Sequence, residues 1–171
     1  MLPGVGAFGD AMEELQKRGL VEKIKEHAAG VRPFLGICAG MQLMFDSSDE
    51  FGTHEGLGMI PGRVQPVRRE GVDGKLHKVP HIGWSELAPA SAGRTWEGSI
   101  FEGLPSRPYC YFVHSFAAEP VDEAHRLADC RYNGRRLAAA VRHDNLWGCQ
   151  FHPEKSGETG LRILRNFLAR D

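Results

Sequence analysis

The chain has 171 residues, 42% hydrophobic and 25% charged, with 21 basic against 22 acidic side chains. This is ordinary usage for one globular domain, and a net charge of -1 leaves no electrostatic footprint for nucleic acid or an anionic membrane. No apolar run approaches the roughly 20 residues of a membrane span, and the first residues lack the basic and apolar regions of a secretory signal.

Leu2-Pro3-Gly4-Val5-Gly6 reads as a strand end running into a glycine loop. Asp10 is placed to cap a helix with apolar Met12, Leu15, Leu20, Val21 and Ile24, which Gly19 divides in two. Residues 33–37 form a short apolar run, expected to be a buried strand that leads directly into a helix over 41–45. Residues 46–58 are polar and read as a loop. From Arg63 the texture changes to short strands, expected at 63–67, 78–81, 109–116, 126–131, 137–142 and 147–151. Asn133-Gly134 signals a hairpin, with Arg131, Arg135 and Arg136 as its solvated basic residues, and 143–145 mark the next turn. Residues 159–169 suit a last amphipathic helix. The sum is an α/β domain, parallel near its start and with antiparallel ribbons later.

Gly36-Ile37-Cys38-Ala39-Gly40 has the form of a nucleophile elbow with cysteine in the serine position. A sharp strand-to-helix turn crowds both flanks, and glycine removes that crowding. The expected consequence is a sulfur at a helix start, with a thiol pKa below its ordinary value of about 8.5. A cysteine nucleophile needs a base, and the base needs an orienting group; His152 and Glu154 of Phe151-His152-Pro153-Glu154 offer both. The backbone of Gly4, Val5 and Gly6 can turn N–H groups toward an oxyanion; a phosphate-loop reading is poor without a following Lys-Ser/Thr. Cys38, Cys110, Cys130 and Cys149 show no C-x-x-C spacing and read as reduced thiols of a cytoplasmic protein. The eight histidines show no metal-ligand spacing, so zinc is not expected.

The order L-P-G-V-G, G-I-C-A-G-M-Q, F-H-P-E-K-S resembles the class I (triad) glutamine amidotransferases. Val79-Pro80-His81-Ile82-Gly83-Trp84 and the run from Tyr109 to Phe116 are similar to the glutaminase subunits of imidazole glycerol phosphate synthase, in histidine biosynthesis. The resemblance covers nearly the whole chain. It departs at Ala39, where Leu or Val is usual, and at Phe116, where Tyr is common. A C-A-G-M elbow also occurs in the glutaminase subunit of pyridoxal phosphate synthase, which stays open as an alternative. So does an inactive fragment that only binds a partner.

The resemblance implies a flavodoxin-like mixed sheet flanked by helices, with antiparallel β-ribbons. Members carry a further βαβ-type segment before the L-P-G-V-G strand end. It therefore implies one domain over 1–171, incomplete at its N-terminus and of weak stability. It implies hydrolysis of L-glutamine by Cys38, His152 and Glu154, with oxyanion donors near Val5 and at Ala39. Gln42, Glu50, His114, Ser115 and Phe116 would bind glutamine. Ammonia would pass to a cyclase subunit in a heterodimer, faced by His81, Trp84 and Lys155. No metal or organic cofactor is implied.

Overall fold

The computed structural model describes residues 1–91, 93 and 95–170. Twelve strands are described: β1 Leu2–Gly4, β2 Phe34–Cys38, β3 Phe45–Ser48, β4 His54–Glu55, β5 Ile60–Pro66, β6 His81–Glu86, β7 Ala88–Pro89, β8 Tyr109–His114, β9 Phe116–Pro120, β10 Arg126–Tyr132, β11 Arg135–His143 and β12 Leu146–Cys149. The helices are α1 Phe8–Lys17, α2 Val21–Ala28, α3 Ala39–Gln42 and α4 Gly157–Leu168.

The main sheet has the order β1-β2-β12-β11-β10-β7. Strands β1, β2 and β12 run parallel, and β11, β10 and β7 continue the sheet antiparallel. A second sheet, β4-β3-β5-β9, and a two-stranded ribbon, β6-β8, complete the mixed α/β architecture. Side chains alternate across the main sheet, as the two-residue period of a strand requires. Phe34, Ala138 and Leu146 face one apolar cluster with α1 and α2, while Leu35, Ala139 and Trp147 face a second with α4.

Several expectations shift. Asp10 does not cap α1. The cap residue is Ala7, whose side chain has no oxygen, and the Phe8 N–H is taken by the distant Glu50 carboxylate at 2.7 Å. The helix expected over 41–45 is the single turn α3, because Phe45 leaves it to pair with Ile60 in a parallel ladder. The loop expected over 46–58 therefore contains β3 and β4. The strand expected at 78–81 starts only at His81. The single strand expected over 109–116 is two strands in different sheets: β8 pairs with β6, β9 pairs with β5, and the chain crosses between them at Ser115. The hairpin at Asn133-Gly134 forms as expected, with positive φ at both residues (54° and 75°), the signature of a type I′ turn. Arg136 on that hairpin is tied to Asp129 at 2.7 Å. Among the described residues, no helix is long and apolar enough to cross a membrane.

Candidate active site

The parallel order β1-β2-β12 places three carboxyl ends on one edge of the sheet, the edge where open α/β sheets hold their ligands. Gly4 lies in register with Cys38, and Ile37 with Cys149. Residues 4–6, Cys38 and the segment after Cys149 are thus brought together from distant parts of the chain. They share a cavity of about 320 Å³ lined by Val5, Gly6, Cys38, Ala39, Gln42 and Glu50, together with Pro80, residues 113–116 and His152.

The elbow is as tight as its glycines suggest. A Cβ at Gly40 would lie 1.8 Å from the Leu2 carbonyl oxygen, and one at Gly36 would lie 2.8 Å from both the Gly40 oxygen and the Met41 Cα. Cys38 itself is held at φ 52°, ψ -115°, a sparsely populated conformation for a residue with a side chain. The thiol does not behave as expected from its place at a helix start. Burial pushes its pKa up, the Ala39 N–H opposes that, and the negative charge of Glu154 adds to the rise. A one-turn helix supplies little dipole, so desolvation wins.

The His152 ring is buried, with Nδ1 2.8 Å from Glu154 Oε1. A carboxylate only accepts, so Nδ1 carries the proton and Nε2 is the basic nitrogen. The backbone of this loop is pinned by Ser156, whose Oγ donates to the His152 carbonyl at 2.7 Å and accepts the Tyr111 N–H at 2.9 Å.

Val5 is 81% exposed at the cavity mouth, beside Gly6 at φ 94°, and Ala39 is buried at the start of α3. Gln42 is buried rather than on a helix surface; its Nε2 donates to the Phe116 carbonyl at 2.9 Å and to Gln150 Oε1 at 3.0 Å. Glu50 reaches the cavity wall while holding the start of α1. His114 is buried, with Nδ1 2.8 Å from the Phe116 oxygen, and Ser115 and Phe116 line the cavity beside it.

His81 is not on an outer surface. It lies buried between the rings of Phe112 and Tyr132, with Nδ1 2.9 Å from His114 Nε2 and Nε2 2.9 Å from Ser85 Oγ. The reason is strand periodicity: His81 and Trp84 are three positions apart on β6 and so point to opposite faces. Trp84 is 55% exposed, with exposed Ile82 on the same face, and Lys155 is exposed on the turn after His152.

Two further residues, Gln150 and Ser156, belong to the site without a local signal in the sequence. Gln150 is fully buried and directs Nε2 toward Cys38 Sγ at 3.9 Å. Ser156 was visible only as the last residue of F-H-P-E-K-S, where nothing local signals a clamp on the histidine. All four cysteines are free thiols. Among the described residues, no group of three His, Cys, Asp or Glu side chains is arranged to hold a metal ion.

The model of the glutamine amidotransferase class-I family matches residues 1–170. The chain is 52% identical over 168 residues to imidazole glycerol phosphate synthase subunit HisH 1 of Legionella pneumophila (strain Lens), covering 98% of this chain and 79% of that one. It is also 52% identical over 167 residues to subunit HisH of Sulfurimonas denitrificans, covering 98% and 77% of the two chains. A crystal structure of a glutamine amidotransferase superposes with a TM-score of 0.65 over 98% of this chain and 75% of that one; at 20% identity, this likeness speaks for the fold alone.

Proposed function

The chain belongs to the class-I glutamine amidotransferase family, and from that premise we propose that it is the glutaminase subunit of an imidazole glycerol phosphate synthase. The observation that carries the chemistry is the meeting of Cys38, His152 with its Glu154 partner, and the residue 4–6 loop around one cavity.

In this reading, L-glutamine enters with its side-chain amide against Cys38. The thiol proton passes to His152 Nε2 as sulfur attacks the amide carbon, and the carbonyl oxygen becomes an oxyanion. The Ala39 N–H and the backbone N–H groups of the Val5 loop receive that charge; one such donor is typically worth about 3–4 kcal/mol. His152 then gives its proton to the departing nitrogen, which leaves as ammonia, and a glutamyl thioester remains on Cys38. Water loses a proton to the same nitrogen and opens the thioester, releasing glutamate and restoring the thiol. Glu154 keeps the imidazole in one tautomer throughout and offers a negative charge to the imidazolium.

Substrate selection falls to other residues that line the cavity. Gln42 has committed its amide nitrogen to Phe116 and Gln150, so its contact with glutamine is through Oε1. The strand crossing at 114–116 offers backbone groups, and Glu50 a carboxylate for the substrate's ammonium. The ammonia passes to a cyclase subunit, and exposed Trp84 and Lys155 are assigned to the face that meets it. Four free thiols suit a reducing compartment such as the cytoplasm.

The test is glutamate release from glutamine by the chain mixed with a purified cyclase subunit and that subunit's ligand, beside Cys38→Ala. Activity that depends on the partner and disappears in Cys38→Ala is expected. Activity that survives Cys38→Ala, or that appears with a pyridoxal phosphate synthase barrel instead, would overturn the reading.

A further inference from the structure

We propose that Gln150 is a further catalytic residue, whose carboxamide N–H faces the Cys38 sulfur and steadies its thiolate, held in that direction by a hydrogen-bond chain anchored on the Phe116 carbonyl. The proposal rests on Cys38 being the nucleophile.

The anchor decides every orientation. A carbonyl oxygen only accepts, and Phe116 O is met by two side chains, Gln42 Nε2 at 2.9 Å and His114 Nδ1 at 2.8 Å. The group that Gln42 turns to Phe116 must therefore be its NH₂. Its second N–H then points at Gln150 at 3.0 Å, where an oxygen must receive it. With Oε1 of Gln150 so used, its NH₂ is the end that faces Cys38 Sγ. A flip of Gln42 would set its oxygen against the Phe116 and Gln150 oxygens, and a flip of Gln150 would set N–H against N–H; either loses hydrogen bonds in a buried site.

His114 carries its proton on Nδ1, so Nε2 is an acceptor and takes the Nδ1–H of His81 at 2.9 Å. His81 Nε2 is then the acceptor for the Ser85 hydroxyl at 2.9 Å. Ser85, His81, His114, Phe116, Gln42, Gln150 and Cys38 thus form one connected set with a single donor pattern. It spans β6, β8, the start of β9, α3, the end of β2 and the residue after β12. His81, His114 and Gln42 are positioning residues; within this set it is Gln150 that reaches the sulfur.

The titratable groups around that sulfur are His152 and Glu154 from the segment after β12, Glu50 in the cavity lining and His114 at the end of β8. Glu154 disfavours a negative sulfur, as does burial. Besides the Ala39 N–H, and His152 Nε2 once it has taken the proton, Gln150 is a donor directed at the charge. At 3.9 Å from a neutral thiol the contact is loose. A thiolate draws such a donor in, because charge-assisted hydrogen bonds are shorter and stronger than neutral ones.

The experiment reads the sulfur directly. Carbamidomethylation of Cys38 by iodoacetamide is followed from pH 5 to 10 by peptide mass spectrometry, on the wild-type chain and on Gln150→Met, with circular dichroism as the check on folding. Gln150→Met is expected to move the half-titration point of Cys38 alkaline by about 0.5–1 unit and to slow alkylation at pH 7 about 3- to 10-fold. A folded Gln150→Met with the wild-type profile overturns the proposal. Should that variant not fold, the wild-type chain decides. Its Gln150 side-chain amide protons, followed by NMR, are expected to move downfield as pH is raised through the Cys38 titration; protons that stay in place overturn the proposal. Alkylation does not depend on glutamine turnover. A chain without glutaminase activity but with the Gln150 effect would count against the proposed function alone.

Discussion

Glu154 Oε1 lies 2.8 Å from His152 Nδ1 across a single proline, and it joins a buried ring to a carboxylate side chain that is 51% exposed. The contact sets the tautomer of the base, while solvent screens the charge. Replacing Glu154 should therefore cost less than replacing either residue that moves electrons or protons. Glu154→Gln is expected to lower partner-stimulated kcat about 10- to 100-fold, whereas Cys38→Ala and His152→Ala abolish turnover. Steady-state kinetics on the three variants check the order; equal losses in all three would show that Glu154 does more than orient the ring.

Ser156 couples the stability of the fold to the placement of the base. Its buried hydroxyl bonds both the His152 carbonyl and the Tyr111 N–H. Ser156→Ala removes both bonds and is expected to cost about 1–3 kcal/mol of folding stability. It should also reduce kcat, because His152 then sits on a looser loop, while alkylation of Cys38 changes little. Chemical denaturation together with kcat measures the two effects, and full stability in Ser156→Ala would remove the clamp from the account.

The Gly40 position tests the elbow by steric means alone. A methyl there would meet the Leu2 carbonyl oxygen at 1.8 Å, and that oxygen belongs to β1, which pairs with β2 through Gly36 and Cys38. Relief requires β1 to move away from the nucleophile. Gly40→Ala is expected to destabilise by about 3 kcal/mol or more, or about 6–12 °C in Tm at this chain length. It should also lose glutaminase activity, since the residue 4–6 loop moves with β1. A Tm within 2 °C of wild type, on the order of 0.5–1 kcal/mol, would contradict the close approach.

How much of this was legible in the chain depends on whether a residue's partners are local. The elbow was legible because Gly36 and Gly40 flank the cysteine they serve. The base and its orienter were legible because His152 and Glu154 are two positions apart. Asp10 is a misleading local signal because the group that accepts from the start of α1 is Glu50, 42 residues from the N–H it accepts. His81 and Trp84 sit close together in sequence, yet three positions on a strand reverse the face, so only Trp84 points outward. Gln150 gave no local sign, since its importance comes from Cys38, 112 residues away, and from Gln42, 108 residues away. The crossing at Ser115 is hidden for the same reason: the strand expected over 109–116 runs past it to the first residue of β9, and only the partners β6 and β5 separate β8 from β9.

His81 and His114 make the folded chain sensitive to mild acid. Burial is the leading cause that holds both to about 4, from an ordinary 6.5; for His81 the proximity of His114 adds to it, and for His114 that of His152 does, against the Phe116 hydrogen bond. In the unfolded chain both rings titrate near 6.5, so between 6.5 and 4 the unfolded state binds protons that the folded state refuses. Their contribution is fully present above about pH 6.5 and is lost progressively as pH falls toward 4. Thermal melts from pH 7.5 to 5.0 are expected to show Tm falling with pH in the wild type. The slope should be shallower in His81→Phe, which keeps an aromatic ring between Phe112 and Tyr132 and has no proton to bind. Parallel slopes in the two proteins would mean that His81 is not the group that titrates.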